Sequence, residues 1–120
     1  MSQAEPLSIE SRTATRSNTR ILHLDGPLTL HTLFQFQDAI RSDPPTVTIL
    51  DLSGVPYMDS AGMGAILNFY VSSQKSGRKL IISGVNYRVV ELFKLTRVDS
   101  LLTIVPTAED AEKIDRKSVV

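Results

Sequence analysis

Between Thr46 and Gly77 the chain passes from an apolar run, through a double break, into a striped segment, and few folds accommodate that succession. Thr46 to Leu52 is almost wholly apolar or β-branched, the pattern of a strand covered on both faces. Ser53-Gly54 and Pro56 interrupt it, so the chain must turn there. Met63, Ile66, Leu67, Tyr70 and Val71 then fall at the three- and four-residue spacing that predicts a helix with one apolar stripe. Ser60 is the expected N-cap, because a serine oxygen accepts from a first-turn N–H, and Gly77 suits the left-handed residue that closes a helix. Asp59-Ser60 is thereby expected on a strand-to-helix edge.

The rest of the chain supplies partners for that unit. Met1–Pro6 is polar and expected to be a flexible segment; Leu7 to Arg12 alternates as an edge strand does, and Thr19 to Leu24 alternates again after a hairpin turn at Ser17-Asn18. Asp25-Gly26-Pro27 closes the second strand. Thr29 is positioned to cap a helix with an apolar side of Leu30, Leu33, Phe34, Phe36 and Ile40, which Ser42-Asp-Pro-Pro45 ends. A strand over Lys79–Ser83 completes a β-α-β unit whose crossover should be right-handed. From Asn86 a shorter helix carries Val89, Leu92, Phe93 and Thr96; Leu101–Val105 reads as a strand, and Thr107-Ala-Glu-Asp110 as a capping box opening a last helix. The fold class is α/β: a mixed sheet of four to five strands with about four helices packed against it, in one domain over residues 7–116, with a tail at 117–120.

Composition narrows what such a domain can do. A chain of 120 residues, 42% hydrophobic, suffices for one core. Formal net charge is zero, so the field that would draw it onto nucleic acid or an anionic membrane is missing, and a protein partner is the better expectation. There is no cysteine, hence no thiolate chemistry or Cys-based metal site, and no run of about 18 apolar residues of the kind that enters a bilayer. A soluble cytoplasmic protein is expected.

Enzyme readings fail on spacing. A serine nucleophile elbow needs glycine two positions before Ser60, where Met58 stands, and His23 and His31 read as a strand residue and a first-turn helix residue. Gly62-Met-Gly64 would continue as a dinucleotide loop only with glycine in place of Leu67, and no Gly-Lys-Ser/Thr ending occurs. Neither a cofactor nor a metal is expected. What remains is a hydroxyl at a helix start beside Ala61, Gly62 and Gly64, where small side chains leave room for another protein. Phosphorylation of Ser60 would add about −1.5 to −2 charges there, favoured by the helix dipole and opposed by Asp59. Ser60 as N-cap alone is the other reading. Asp51 can cap its strand, Tyr57 and Met58 can be core, and Phe69, off the stripe, is either a packing contact or a docking residue.

The run Leu50-Asp-Leu-Ser-Gly-Val-Pro-Tyr-Met-Asp-Ser-Ala-Gly-Met-Gly64 resembles the signature of STAS domains, specifically of bacterial anti-sigma factor antagonists. The likeness continues through Gly77, Ser83-Gly-Val, Val89 to Thr96 and Leu101 to Thr107, and more loosely back to Ile9. It implies that the protein is no enzyme but a substrate. Ser60 would be phosphorylated by an anti-sigma factor serine kinase and restored by a PP2C-type phosphatase, and the unphosphorylated form would bind the anti-sigma factor and free a sigma factor. The implied partner surface comprises Asp59, Ser60, Ala61, Gly62, Met63 and Gly64, the helix side near Ala65, Asn68 and Phe69, and the loop at Thr29. Three residues depart from the family pattern: Thr29 stands for a common aspartate, Tyr87 for a common proline, and Arg97 for the glycine that often ends the third helix, which predicts a different helix end or local strain. Two other STAS roles remain open, a subunit of a membrane ABC lipid-transport system and a nucleotide-binding domain. Monomer or weak dimer is expected, since Glu10 and Arg12 discourage pairing through the first strand.

Overall fold

The computed structural model describes residues 6–14, 18–41 and 45–118, with side chains through residue 114. Its elements in order are β1 (Ser8–Thr13), β2 (Thr19–Asp25), α1 (Leu33–Arg41), β3 (Val47–Gly54), α2 (Ser60–Lys75), β4 (Lys79–Ser83), α3 (Tyr87–Leu95), β5 (Thr103–Val105) and α4 (Ala108–Ser118). The five strands lie in sequence order across one sheet. β1 is antiparallel to β2, and every later pairing is parallel, so the mixed sheet with four helices is the one expected. α4 continues to Ser118, past Arg116. Of the segments read from sequence, Met1–Glu5, Ser17 of the hairpin turn and Ser42-Asp-Pro44 lie outside the described residues; Asn18 has φ of 64°, as a tight turn requires.

The continuous apolar run of β3 is buried on both sides because helices cover both faces. Ile21, Ile49 and Ile81 stand in register across β2, β3 and β4 and face Ala111 of α4. The alternate row, Leu22, Leu50 and Ile82, faces the larger core with Phe36 of α1, Ile66 and Phe69 of α2, and Phe93 of α3. Alternation of side chains along each strand thus assigns three helices to one face and one to the other.

Two helix readings need correction. α1 begins at Leu33, not beside Thr29. Thr32 is buried; its hydroxyl accepts from the Thr29 N–H at 3.0 Å and donates to the Pro27 carbonyl at 2.9 Å, and its carbonyl receives the Phe36 N–H at 3.4 Å. The residues Thr29–Thr32 are therefore a turn. The expected apolar side splits accordingly: Phe36 is fully buried, Leu33 and Ile40 are half-buried, and Leu30 and Phe34 stand 62% and 73% exposed.

The second correction concerns α2, whose buried face is Gly62, Ala65, Ile66, Phe69 and Ser73. Met63, Leu67 and Tyr70 lie at its margin and Val71 is exposed, so the helix is rotated from the expected stripe. Small residues cause this: Gly62 and Ala65 let α2 approach its neighbours closely, and Phe69 then packs edge-on against Phe36, with ring centroids 6.4 Å apart at 77°. Phe69 is thereby a core residue, 8% exposed, the packing alternative of the two read from sequence.

Helix ends follow local chemistry. Asn86 caps α3 by accepting from the Val89 N–H at 3.0 Å, which puts Tyr87 at the first helical position, where proline is at home. Arg97 closes α3 with φ of 63°, the strain its departure from glycine predicts. The Thr107 hydroxyl receives the Asp110 N–H at 3.1 Å and lies 3.0 Å from the Asp110 carboxylate, a capping box in which the return limb joins two side chains.

Candidate functional site

The strand-to-helix edge is built by two loops running together. After β3, Met58 pairs with Leu28 in an isolated parallel bridge; the Leu28 N–H donates to the Tyr57 carbonyl at 3.2 Å and the Asp59 N–H to the Leu28 carbonyl at 3.3 Å. The loop that follows β2 is thus fastened to the loop that precedes α2. Met58 is buried, whereas Tyr57 is only half-buried and lies beneath the Arg88 guanidinium, 5.5 Å from its ring centroid.

Asp59, not Ser60, is the N-cap. Its backbone is extended (φ −103°, ψ −175°), its Oδ1 accepts from the Gly62 N–H at 2.9 Å and its Oδ2 from the Leu30 N–H at 3.1 Å. One carboxylate therefore caps α2 and fixes the Thr29 loop, two jobs that a serine hydroxyl would do less well. The cap falls on the residue that long-range contact with Leu28 holds in extended conformation, which no local pattern reveals. Ser60 becomes the first helical residue. Its side chain is exposed and forms no hydrogen bond among the described residues.

The neighbouring small residues have different reasons to be small. A Cβ on Gly62 would lie 2.2 Å from the Leu28 carbonyl oxygen, so glycine there is demanded by the join between the two loops. Around Gly64 nothing lies within 4 Å of such a Cβ, so its smallness serves no internal contact. Ala61 is half-buried and Asn68 exposed, but Gly62, Ala65 and Phe69 are buried beneath the surface assigned to them from sequence. Met63 reaches the other flank, where the Thr96 hydroxyl lies 3.0 Å from its Sδ. Thr29 sits in the fastened loop, its Oγ1 accepting from the His31 N–H at 3.2 Å rather than opening α1. Two exposed apolar residues on the Thr29 side, Leu30 and Phe34, were read from sequence as part of a buried helix face. Thr32 followed by Gln35 has capping spacing and would have moved the start of α1 and exposed both.

Titratable groups do not converge on Ser60. His23 and Asp51 are cross-strand neighbours on the α4 face, with Nδ1 and Oδ2 3.0 Å apart. Burial works to raise the Asp51 pKa, but the Ser53 N–H at 3.0 Å and the His23 ring outweigh it and hold the carboxyl below its ordinary value. Ser83 continues this row on β4 and its hydroxyl has no partner among the described residues, yet it is fully buried and out of reach of any substrate. The His-Asp-Ser succession is therefore structural. Among the described residues no group of three or more metal-ligating side chains gathers, and no helix is long and apolar enough to cross a membrane.

The arrangement can present a hydroxyl, a small-residue patch and an apolar rim to another protein, and its relatives are of a kind that fits this. An anti-sigma-B factor antagonist of Staphylococcus aureus (strain NCTC 8325 / PS 47) is 24% identical over 101 residues, covering 82% of this chain and 94% of that protein. The fold matches an anti-sigma factor antagonist from Mycobacterium paratuberculosis with a TM-score of 0.83 at 19% identity, covering 92% and 95% of the two chains. It matches a sulfate transporter family protein from Wolinella succinogenes at 0.78 and 22% identity, covering 89% and 92%. The Bacillus cell fate determinant SpoIIAA in its phosphorylated form matches at 0.66 and 23% identity, covering 91% and 98%. The STAS domain model matches residues 10–111, which include all five strands but the first two residues of β1 and every helix but the last turns of α4, and the chain belongs to the STAS domain family.

Proposed function

We propose that this STAS domain is an anti-sigma factor antagonist whose partner choice is set by phosphorylation of Ser60. The observation that carries the reading is that Asp59 does the capping, which leaves the Ser60 hydroxyl exposed and unbonded at the first position of α2. A hydroxyl occupied as a cap would be hidden from a kinase. Once phosphorylated, the same position favours the product, since the first N–H groups of a helix and its dipole receive an anion while the cap at Gly62 stays with Asp59. The fold survives and its surface changes sign. The proposed partners are an anti-sigma factor serine kinase, which binds the unphosphorylated form and thereby releases a sigma factor, and a PP2C-type phosphatase that restores it, all in the cytoplasm.

The surface offered to the kinase is Ser60, Ala61, Gly64 and Asn68, with Leu30 and Phe34 as an apolar rim on the Thr29 side; Ala65 and Phe69 act from below by setting the pose of α2. A phosphate forced into a surface fitted to a neutral serine would be desolvated beside Asp59. Mass spectrometry of the chain isolated from its source cell, before and after treatment with a PP2C-type phosphatase, should find a removable phosphate on Ser60. With the kinase in hand, Ser60→Asp should bind about a hundredfold more weakly than Ser60→Ala, as a like-charge or desolvated contact costs several kcal/mol. A Ser60 never modified across growth conditions, together with copurification of a membrane transporter, would move the domain to the transport role that the sulfate transporter family likeness keeps open.

A further inference from the structure

β1 is one edge of the sheet, and no strand lies beyond it among the described residues. The Ala14 N–H donates to the Thr19 carbonyl at 3.0 Å, and Ala14 continues the register that sets Thr13 opposite Arg20. Hydrogen-bonded pairs alternate along an antiparallel ladder, so Ser8, Glu10 and Arg12 bond to β2 while the N–H and C=O groups of Ile9, Ser11 and Thr13 point away from the sheet. The same parity turns the Leu7 carbonyl outward, where the Gln35 side chain of α1 donates to it at 2.9 Å. No described side chain does this for Ile9, Ser11 or Thr13. We propose that this edge pairs with the β1 edge of a second copy of the chain, antiparallel about a two-fold axis at Ser11, in a weak dimer.

Backbone parity and charge select both the partner and the register. The outward groups lie on alternate residues, so a bonded ladder must set these residues of one copy against those of the other. With the axis at Ser11, Ile9 faces Thr13 of the second copy, Ser11 faces its own counterpart, and every outward N–H and C=O from Ile9 to Thr13 gains a partner. Glu10 then stands directly opposite Arg12, and symmetry repeats the pair, at the non-hydrogen-bonded positions where side chains approach most closely. The two neighbouring registers that keep the parity set Glu10 against Glu10 or Arg12 against Arg12, and both are repulsive. Glu10 and Arg12 are exposed, lie on one face of the sheet beside His23 and Ile21, and form no ion pair among the described residues. Charges on an edge discourage unrelated strands; this order of charges admits a second copy in a single alignment. The edge is short and the joint is polar, which makes the association weak and salt-sensitive. β2 separates this edge from the strand that leads into Ser60, and the pairing does not rest on the Ser60 reading.

Sedimentation equilibrium of the full unphosphorylated chain, at concentrations up to about 1 mM and at low and high salt, tests the pairing. A monomer–dimer equilibrium is expected, weaker at high salt. Arg12→Glu and Glu10→Arg each turn both cross-strand pairs into like charges, and each should weaken the dimer about tenfold. An equimolar mixture of these two variants should recover the association, because each chain then meets the opposite charge at both positions. Ser11→Pro removes an outward N–H that β2 does not use, and should abolish the dimer; circular dichroism reports that each variant is folded. Recovery in the mixture cannot come from a folding defect, so that arm decides even if Ser11→Pro fails to fold. Absence of any dimer at about 1 mM would overturn the pairing. A dimer indifferent to Arg12→Glu, or no recovery in the mixture, would place the contact on another surface and overturn it equally.

Discussion

Arg97 holds a conformation that costs an L-residue roughly 1–2 kcal/mol, and it does so because the Val98 N–H must reach the Phe93 carbonyl at 3.0 Å and the Arg97 N–H the Lys94 carbonyl at 3.1 Å. Its side chain is exposed, so nothing is lost with the guanidinium. Arg97→Gly should therefore stabilise the fold by about 0.5–1 kcal/mol, part of the gain being offset by glycine's freedom in the unfolded chain, and raise the melting temperature by about 3 °C in calorimetry. Asp51 works in the opposite sense. Its carboxyl is held below the ordinary value of 3.8 in the folded chain, so it contributes stability above that value, and the contribution is lost as pH falls through the lower, folded value. Urea unfolding at pH 7, 4 and 3 should show the native chain losing stability chiefly below about pH 4, and Asp51→Asn, less stable at pH 7, losing less of what it has; parallel acid limbs would mean that Asp51 is not tied to Ser53 and His23.

At the scale of elements, α2 separates what periodicity can and cannot reveal. The helix itself was legible, since its apolar spacing and its Gly77 stop are local properties, and the strands were legible because β3 is apolar throughout while β1 alternates. Its buried face was not, because Gly62 and Ala65 score as weakly apolar residues, yet are the positions at which a close neighbour is possible. The contact of Gly62 with the Leu28 carbonyl lies 34 positions away in sequence and leaves no local trace. The same holds for the cap: Asp59 and Ser60 are both good cap residues, and only the Leu28 bridge decides between them. Gly64 supplies the test at this scale. Glycine inside a helix costs about 0.5–1 kcal/mol relative to alanine, and the space around Gly64 is empty. Gly64→Ala should accordingly stabilise the free domain by that amount in denaturant unfolding, while weakening capture by the kinase; a variant that gained stability and bound equally well would remove Gly64 from the docking surface.

Across the whole molecule, the sheet separates two halves with different work. The α4 face holds the Ile21, Ile49 and Ile81 row and the His23–Asp51 pair, and the other face carries α2 between its two companions. The phosphorylation proposed for Ser60 would add charge at the rim of the second half without touching the core beneath it, so stability and binding should respond independently. The Asp59 carboxylate makes that rim a unit, because it grips both α2 at Gly62 and the loop that carries Leu30. Leu30 and Phe34 bury little in the free domain, and replacing both with aspartate should change unfolding free energy by no more than about 0.5 kcal/mol, as surface substitutions generally do. The same double variant should lose capture of the kinase by the unphosphorylated form, because an apolar rim left exposed in the free protein gains only when a partner covers it. Denaturant unfolding beside a binding assay separates the two terms. Equal loss of both would show that the pair supports the fold, and equal retention of both would confine the docking surface to α2 and leave Thr29 and its loop outside it.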